Sequence, residues 1–204
     1  ALETADLTLP PSAAQLPAGR RITTSTMLLG NLSLLVGDDS GRISQFFMVR
    51  DEQNQYHLRH VRELKYTDAP IRELRAEQRR KSLVAVDDQG QVGLLNATAQ
   101  KVVLKLDAGV ADIQDLAVSP RGNALLLLTP QGVTRYRIDN EHPDVSLSAL
   151  WNKVWYEGYD EPKYIWQSSA ANADFEPKYS LTPLVFGTLK AAFFAMLMAI
   201  PLAV

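Results

Sequence analysis

The chain has 204 residues, 46% of them hydrophobic and 22% charged, with a formal net charge of −2. That is enough for one good core or for a domain plus an appendage, and the interspersed charges exclude the basic stripe of a nucleic-acid binder. There is no cysteine, which excludes a disulfide framework and any cysteine-ligated metal and fits periplasm and cytosol equally well.

Residues 1–21 read as a linker or lead-in, because Pro10, Pro11 and Pro17 prevent a long helix. ALETADLTLPPSAAQLPAG has neither the basic leader nor the continuous apolar run of a secretory signal. The first residue is not methionine, and Val204 lies inside an apolar run. Both features are expected of a piece of a larger protein.

Residues 22–145 read as a β domain made of three units. LSLLVGDDSG (32–41), LVAVDDQG (83–90) and LLLLTPQG (125–132) each carry an apolar stretch into a tight turn. They align on Gly41, Gly90 and Gly132, and an isoleucine lies nineteen residues before each glycine: Ile22, Ile71 and Ile113. Asp-Asp-Ser-Gly and Asp-Asp-Gln-Gly put short polar groups where they can bond their own backbone, with glycine free to take positive φ.

Each unit predicts a buried strand (32–36, 83–86, 125–128), a turn, and a second strand (42–49, 91–95, 133–138). Further strands are expected at 56–64 and 101–106. Three or four strands per unit, at a spacing of 42 to 49 residues, is the size of a β-propeller blade. The fold class expected is therefore mainly β, with about three incomplete propeller-like repeats. A sandwich or open meander is the alternative, since the Trp-Asp dipeptide of the best-known blade family is absent. IRELRAEQRRKS (71–82) is compatible with a helix, but the alignment between units favours a strand there. Three blades do not close a ring, so further blades are expected upstream. The isolated piece is expected to self-associate or to bend into something less regular.

Residues 146–173 form an aromatic connecting segment that carries all three tryptophans, Trp151, Trp155 and Trp166. Leu147, Leu150, Trp151, Val154 and Trp155 fall at helical spacing, which predicts a short amphipathic helix ending near Gly158. It either packs on the β domain or lies at a membrane boundary, where tryptophan and tyrosine are favoured.

Residues 174–204 end in a run whose single charge is Lys190 among the 24 positions from 181 to 204. As one helix it would be about 36 Å long, enough for a hydrocarbon core of about 30 Å. Thr182 and Pro183 fit an N-cap with proline in the first turn, and Pro201 would kink or break the far end. Lys190 would cost about 2.5–3.5 kcal/mol at mid-bilayer, unless it lines a protein interface or a pore. The alternative is a buried helix of a soluble domain.

FEPKYSLTPLVFGTLKAAFFAMLMAIPLAV (175–204) resembles the start of the core membrane domain of bacterial phosphate-importer ABC permeases. The matching residues are Pro183, Gly187, Thr188, Leu189, Ile200, Pro201, Leu202 and Ala203. Some members of that family also carry a large periplasmic insert, whose C-terminal part residues 1–173 would be. The resemblance implies an ABC-type phosphate transporter permease in a bacterial inner membrane, the chain being mainly its periplasmic docking domain. It also implies a partner permease subunit, a periplasmic phosphate-binding protein, ATPase subunits acting through regions outside this chain, and membrane lipid. No residue carries over as a phosphate ligand, and Lys190 is not promoted to one. The alternative is a membrane-tethered β-propeller scaffold for protein–protein interaction in the cell envelope.

Catalytic, cofactor and metal sites are expected to be absent. In a strand, His57 and His60 face opposite ways, and neither they nor His142 suggest a third ligand. Asp38–Asp39 and Asp87–Asp88 lack the ligand spacing of a calcium loop. Ser40 and Ser44 have no recognisable base, and there is no nucleophile elbow, Walker loop or dinucleotide fingerprint. Arg75, Arg79, Arg80 and Lys81 form the densest basic patch, read as a solvated face or as a dock for anionic lipid or an acidic partner. Enzymatic activity is not expected, and a soluble enzyme would need a cleft with perturbed acid or base groups.

Overall fold

Two aspartates set the geometry of the first two repeats. Asp38 Oδ1 accepts from the backbone N–H of Ser40 at 2.9 Å and of Arg42 at 3.1 Å. Asp87 Oδ1 does the same for Gln89 at 2.9 Å and Gln91 at 2.8 Å. Each carboxylate thus closes its own turn, with Gly41 and Gly90 at φ 76° and 81°. A Cβ on Gly41 would land on the carbonyl of Thr67, so this turn demands glycine for space as well as for φ.

The computed structural model describes residues 19–109, 112–139, 142–169 and 176–202. Pro10, Pro11, Pro17, Ala203 and Val204 lie outside them, as does most of the expected lead-in. The first sheet is a four-stranded antiparallel meander of β1 (Ile22–Met27), β2 (Ser33–Asp38), β3 (Arg42–Arg50) and β4 (Tyr56–Lys65). The second repeats it with β5 (Ile71–Ala76), β6 (Ser82–Asp87), β7 (Gln91–Asn96) and β8 (Lys101–Asp107). The segment 71–76 is therefore a strand. The third sheet holds β9 (Asp115–Val118), β10 (Ala124–Thr129) and β11 (Gly132–Arg137), with no fourth strand among the described residues. The first strands stack in order, β1 beside β5 and β5 beside β9. This is an incomplete propeller-like array, mainly β.

Two apolar cores fill the spaces between sheets. Leu28, Leu35, Ile43, Leu64 and Tyr66 of the first sheet and its exit loop meet Ile71, Leu74, Leu83, Ala85 and Leu95 of the second. On the other side of the second sheet, Val84, Val86, Val92 and Leu94 meet Ile113, Leu116, Leu125, Leu127 and Ile138. The sheets approach closely where a side chain is missing: a Cβ on Gly93 would strike the Tyr66 ring, and one on Gly37 would lie 2.8 Å from Ile71 Cγ2. The three aligned isoleucines do not share an environment. Ile71 and Ile113 are buried at 0% and 1%, whereas Ile22 is 55% exposed.

The third repeat departs from the glycine alignment. Thr129 pairs with Gly132 and Leu128 with Val133, so the turn is the two residues Pro130 and Gln131. In the second sheet Val86 pairs with Val92, one residue wider. Gly132 sits inside β11 at φ 128°, and Thr129 Oγ1, donating to the Gly132 carbonyl at 3.1 Å, stands where the other turns have aspartate. Because side chains alternate along a strand, the shift moves each β11 side chain to the opposite face from its aligned counterpart.

The aromatic segment is less helical than its spacing predicts. α1 spans only Leu147–Trp151, capped by Ser146 Oγ accepting from Ala149 N at 3.0 Å. Val154 bridges to Lys163 in extended geometry, and Gly158 takes φ 79° in the intervening turn. A β-branched and aromatic stretch, Val154–Trp155–Tyr156, favours strand over helix there. β12 (Trp166–Gln167) and β13 (Lys178–Tyr179) make a two-stranded ribbon, followed by α2 (Thr182–Leu202), which runs through Pro201. Val154 and Tyr156 pack with Ala99 and Ala149 in a third small core.

Candidate functional site

The C-terminal segment is fastened to the repeats by buried charge. Arg62 on β4 is enclosed and donates Nη1 to the carbonyls of Ala97 at 3.1 Å and Thr98 at 2.8 Å, both in the second repeat, and Nη2 to the carbonyl of Trp155. One guanidinium thus ties two sheets and the aromatic segment together, as its planar fork of donors permits. Burial pulls its pKa down, opposed by Glu176 and Glu157.

Beside it, Lys81 Nζ, just ahead of β6, pairs with Glu157 Oε2 at 2.5 Å and donates to the Leu29 carbonyl at 2.5 Å. Ser33 Oγ donates to Glu157 Oε1 at 2.5 Å, and Gln45 Nε2 donates to Ser33 Oγ at 2.8 Å. Glu176 accepts from Thr98 Oγ1. Desolvation holds the Glu176 carboxyl above its ordinary range despite that bond and the nearby Lys81 and Arg62. A cavity of about 250 Å³ opens next to this cluster, lined by Arg79, Arg80, Lys81, His142, Asp144 and Glu176 among others.

Three backbone and side-chain bonds lead from the aromatic segment, which the clamp holds, into α2. Ser180 N donates to the Ile165 carbonyl at 2.9 Å, Leu181 N to the Leu150 carbonyl at 2.8 Å, and Thr182 Oγ1 to the Trp151 carbonyl at 3.4 Å. Beyond that point the helix is not covered by any of the described residues. Thr182–Ile200 has a mean hydropathy of 1.8 and is not buried at any position. Its apolar side chains point in every direction, the pattern of a membrane span rather than of a helix lying on a soluble core.

The basic patch read from the sequence divides. Lys81 is a buried ion-pair partner, which corrects its reading as part of a solvated face. Arg75 links Glu73, at 2.8 Å from Nε, to Asp115 of the third sheet, at 3.0 Å from Nη2. Arg79 and Arg80 line the cavity. Asp38 and Asp87 are turn formers. His57 Nε2 lies 2.6 Å from Asp51 Oδ2, and the His60 ring packs on Phe46. No group of three or more histidines and acids able to hold a metal occurs among the described residues. Ser40 Oγ donates to Asp38, and Ser44 Oγ is buried without a partner. No nucleophile–base pair arises from either. Arg62, Glu157 and Glu176, which hold the clamp, carry no sequence signal: Lys81 and Glu157 stand 76 residues apart.

No family model matches the chain, and no curated protein matches it. Among solved structures it is similar to a chain of the mitotic checkpoint complex (TM-score 0.49, 15% identity, 65% of this chain and 39% of that one). It is also similar to the C-terminal WD40 domain of Sif2 (TM-score 0.48, 13% identity, 64% and 35%). A third likeness is to Kluyveromyces lactis Hsv2 (TM-score 0.43, 10% identity, 62% and 35%). The chain thus spans 35–39% of the length of these chains. At such scores the likeness concerns the arrangement of sheets and carries no partner or activity. The permease resemblance is corrected by these findings, and phosphate transport goes with it. It rested on the thirty residues from Phe175 to Val204, no family model supports it, and the similar solved structures are not permeases.

Proposed function

We propose that the chain is a membrane-tethered β-repeat scaffold that holds other proteins at a membrane surface. One observation carries the reading: α2 is apolar on all sides and uncovered, yet the residues at its start are bonded to the aromatic segment, which a buried ionic clamp ties to two sheets. A flexible leash would need no such clamp. A lysine, a glutamate and an arginine taken out of water cost several kcal/mol each unless mutually satisfied, and the gain is a fixed junction between sheets and helix. The remaining surface is a set of stacked sheets without a catalytic constellation among the described residues, the kind of surface that binds proteins rather than transforms small molecules.

Residues 1–173 on the periplasmic side of a bacterial inner membrane is the finer placement within this proposal; the absence of cysteine is compatible with it. Alkaline extraction of membranes tests the tether. The full chain is expected in the pellet, and a version lacking residues 182–204 in the supernatant. Recovery of the full chain as a soluble monomer would end the proposal. Protease added to spheroplasts, but not to intact cells, is expected to cut the β-repeats.

A further inference from the structure

Resting on the tether reading, we propose that the exposed side of residues 147–166 is a second membrane contact, an apolar and aromatic collar seated in the headgroup zone of the bilayer. Leu147 and Trp151 lie four residues apart on one face of α1 and are 80% and 49% exposed. Tyr164 and Trp166, two apart in an extended stretch and so on one face, are 42% and 43% exposed. Large apolar groups so placed on a water-facing surface ask for a cover. The cover follows from continuity with α2, because the carbonyls of Leu150, Trp151 and Ile165, one residue or less from the collar, receive the bonds from residues 180–182.

Depth agrees. The 19 residues of Thr182–Ile200 make a helix of about 28 Å, close to the hydrocarbon thickness of about 30 Å. Thr182 therefore sits at the boundary of chains and headgroups, and the collar beside it lies where tryptophan and tyrosine are most stable, ring in the apolar layer and N–H or O–H toward water. The lipid need not be anionic. Residues 147–166 hold Lys153 and Lys163 against Glu157, Asp160 and Glu161, so the attraction is apolar and interfacial. Two contacts, one spanning and one lying at the surface, together with the clamp, hold the repeats at one orientation to the membrane.

Trp155 supplies the internal control. It is turned onto Phe47 with ring centroids 5.9 Å apart and bonds the Tyr159 carbonyl at 2.8 Å. The full chain is placed in phosphatidylcholine vesicles carrying brominated lipid at shallow or deep acyl positions, and tryptophan fluorescence is read. Shallow bromine is expected to quench the wild type strongly, and the W151F/W166F variant, which keeps only Trp155, severalfold less. Admixed anionic lipid should leave both values unchanged. F193W on the W151F/W166F background reports α2 separately and should be quenched by deep bromine. Deep quenching of that probe without shallow quenching of Trp151 and Trp166 would overturn the collar and leave the tether standing. No deep quenching of the probe would overturn both, and quenching that needs anionic lipid would replace the apolar contact with an electrostatic one.

Discussion

The second and third sheets contain similar strands with different fates. In β6, SLVAVD, every position is buried, because the first sheet covers one face and the third sheet the other. In β10, ALLLLT, Leu127 is 1% exposed while Leu126 and Leu128 are 40% and 39% exposed. Leu126 is the counterpart of Val84, which is wholly buried. The difference lies in the neighbours: a run of leucines tells that a strand can be buried on both faces, and the stacking order decides whether it is.

The strongest way to break this comparison is to unlock the second sheet from its surroundings. Lys81→Met leaves Glu157 buried without its cation, and loss of one partner of such a pair costs about 3–5 kcal/mol. Denaturant unfolding of the full chain in mild detergent should show it as a large fall in midpoint. Next come Leu83→Ala and Leu127→Ala, each of which opens a cavity between sheets and should cost about 2–5 kcal/mol. If Leu127→Ala were much the milder of the two, the third sheet would be less firmly packed than the second.

Glu176 sharpens the role of the clamp. Its carboxyl titrates above its ordinary value in the folded protein, so the folded state holds the proton more tightly than the unfolded state. The burden of the ionised group is full above the folded pKa and is relieved as pH falls through it toward 4.5. The wild type should therefore gain stability relative to Glu176→Gln on acidification across that window. A constant difference would mean that the carboxylate is fully compensated. The smallest effect belongs to Leu126→Ala, expected within about 0.5 kcal/mol because the site is already open to water. A cost equal to that of Leu127→Ala would show that the outer face of the third sheet is covered in the folded protein.

What could be read from the sequence was whatever is local. Asp-Asp-Ser-Gly and Asp-Asp-Gln-Gly announce their turns because one side chain satisfies two backbone donors within four residues. The strands beside them follow from the same units, and α2 follows from a run with one charge in 24 positions. The third turn misled, because Gly132 has the right residue type in a different backbone role. The helix predicted over 147–158 stopped at Trp151 because Val154 found a partner in Lys163, a contact that helical spacing alone does not reveal. Least legible was the clamp. Arg62, Lys81, Glu157 and Glu176 come from four distant stretches, and a charge that will be buried looks in sequence like one that will be solvated.

The two-residue turn at Pro130–Gln131 has a consequence for mutational tolerance. Loop tips usually accept extra residues, but here turn length fixes which side chains of β11 face inward. Tyr136, beside Leu125, now packs against the core, and Arg135, beside Leu126, faces out. Inserting a single glycine after Gln131 would exchange them and drive a guanidinium between the second and third sheets. A reading-frame-preserving addition at a surface hairpin would then act as a core lesion, and this turn is a poor place for an epitope tag.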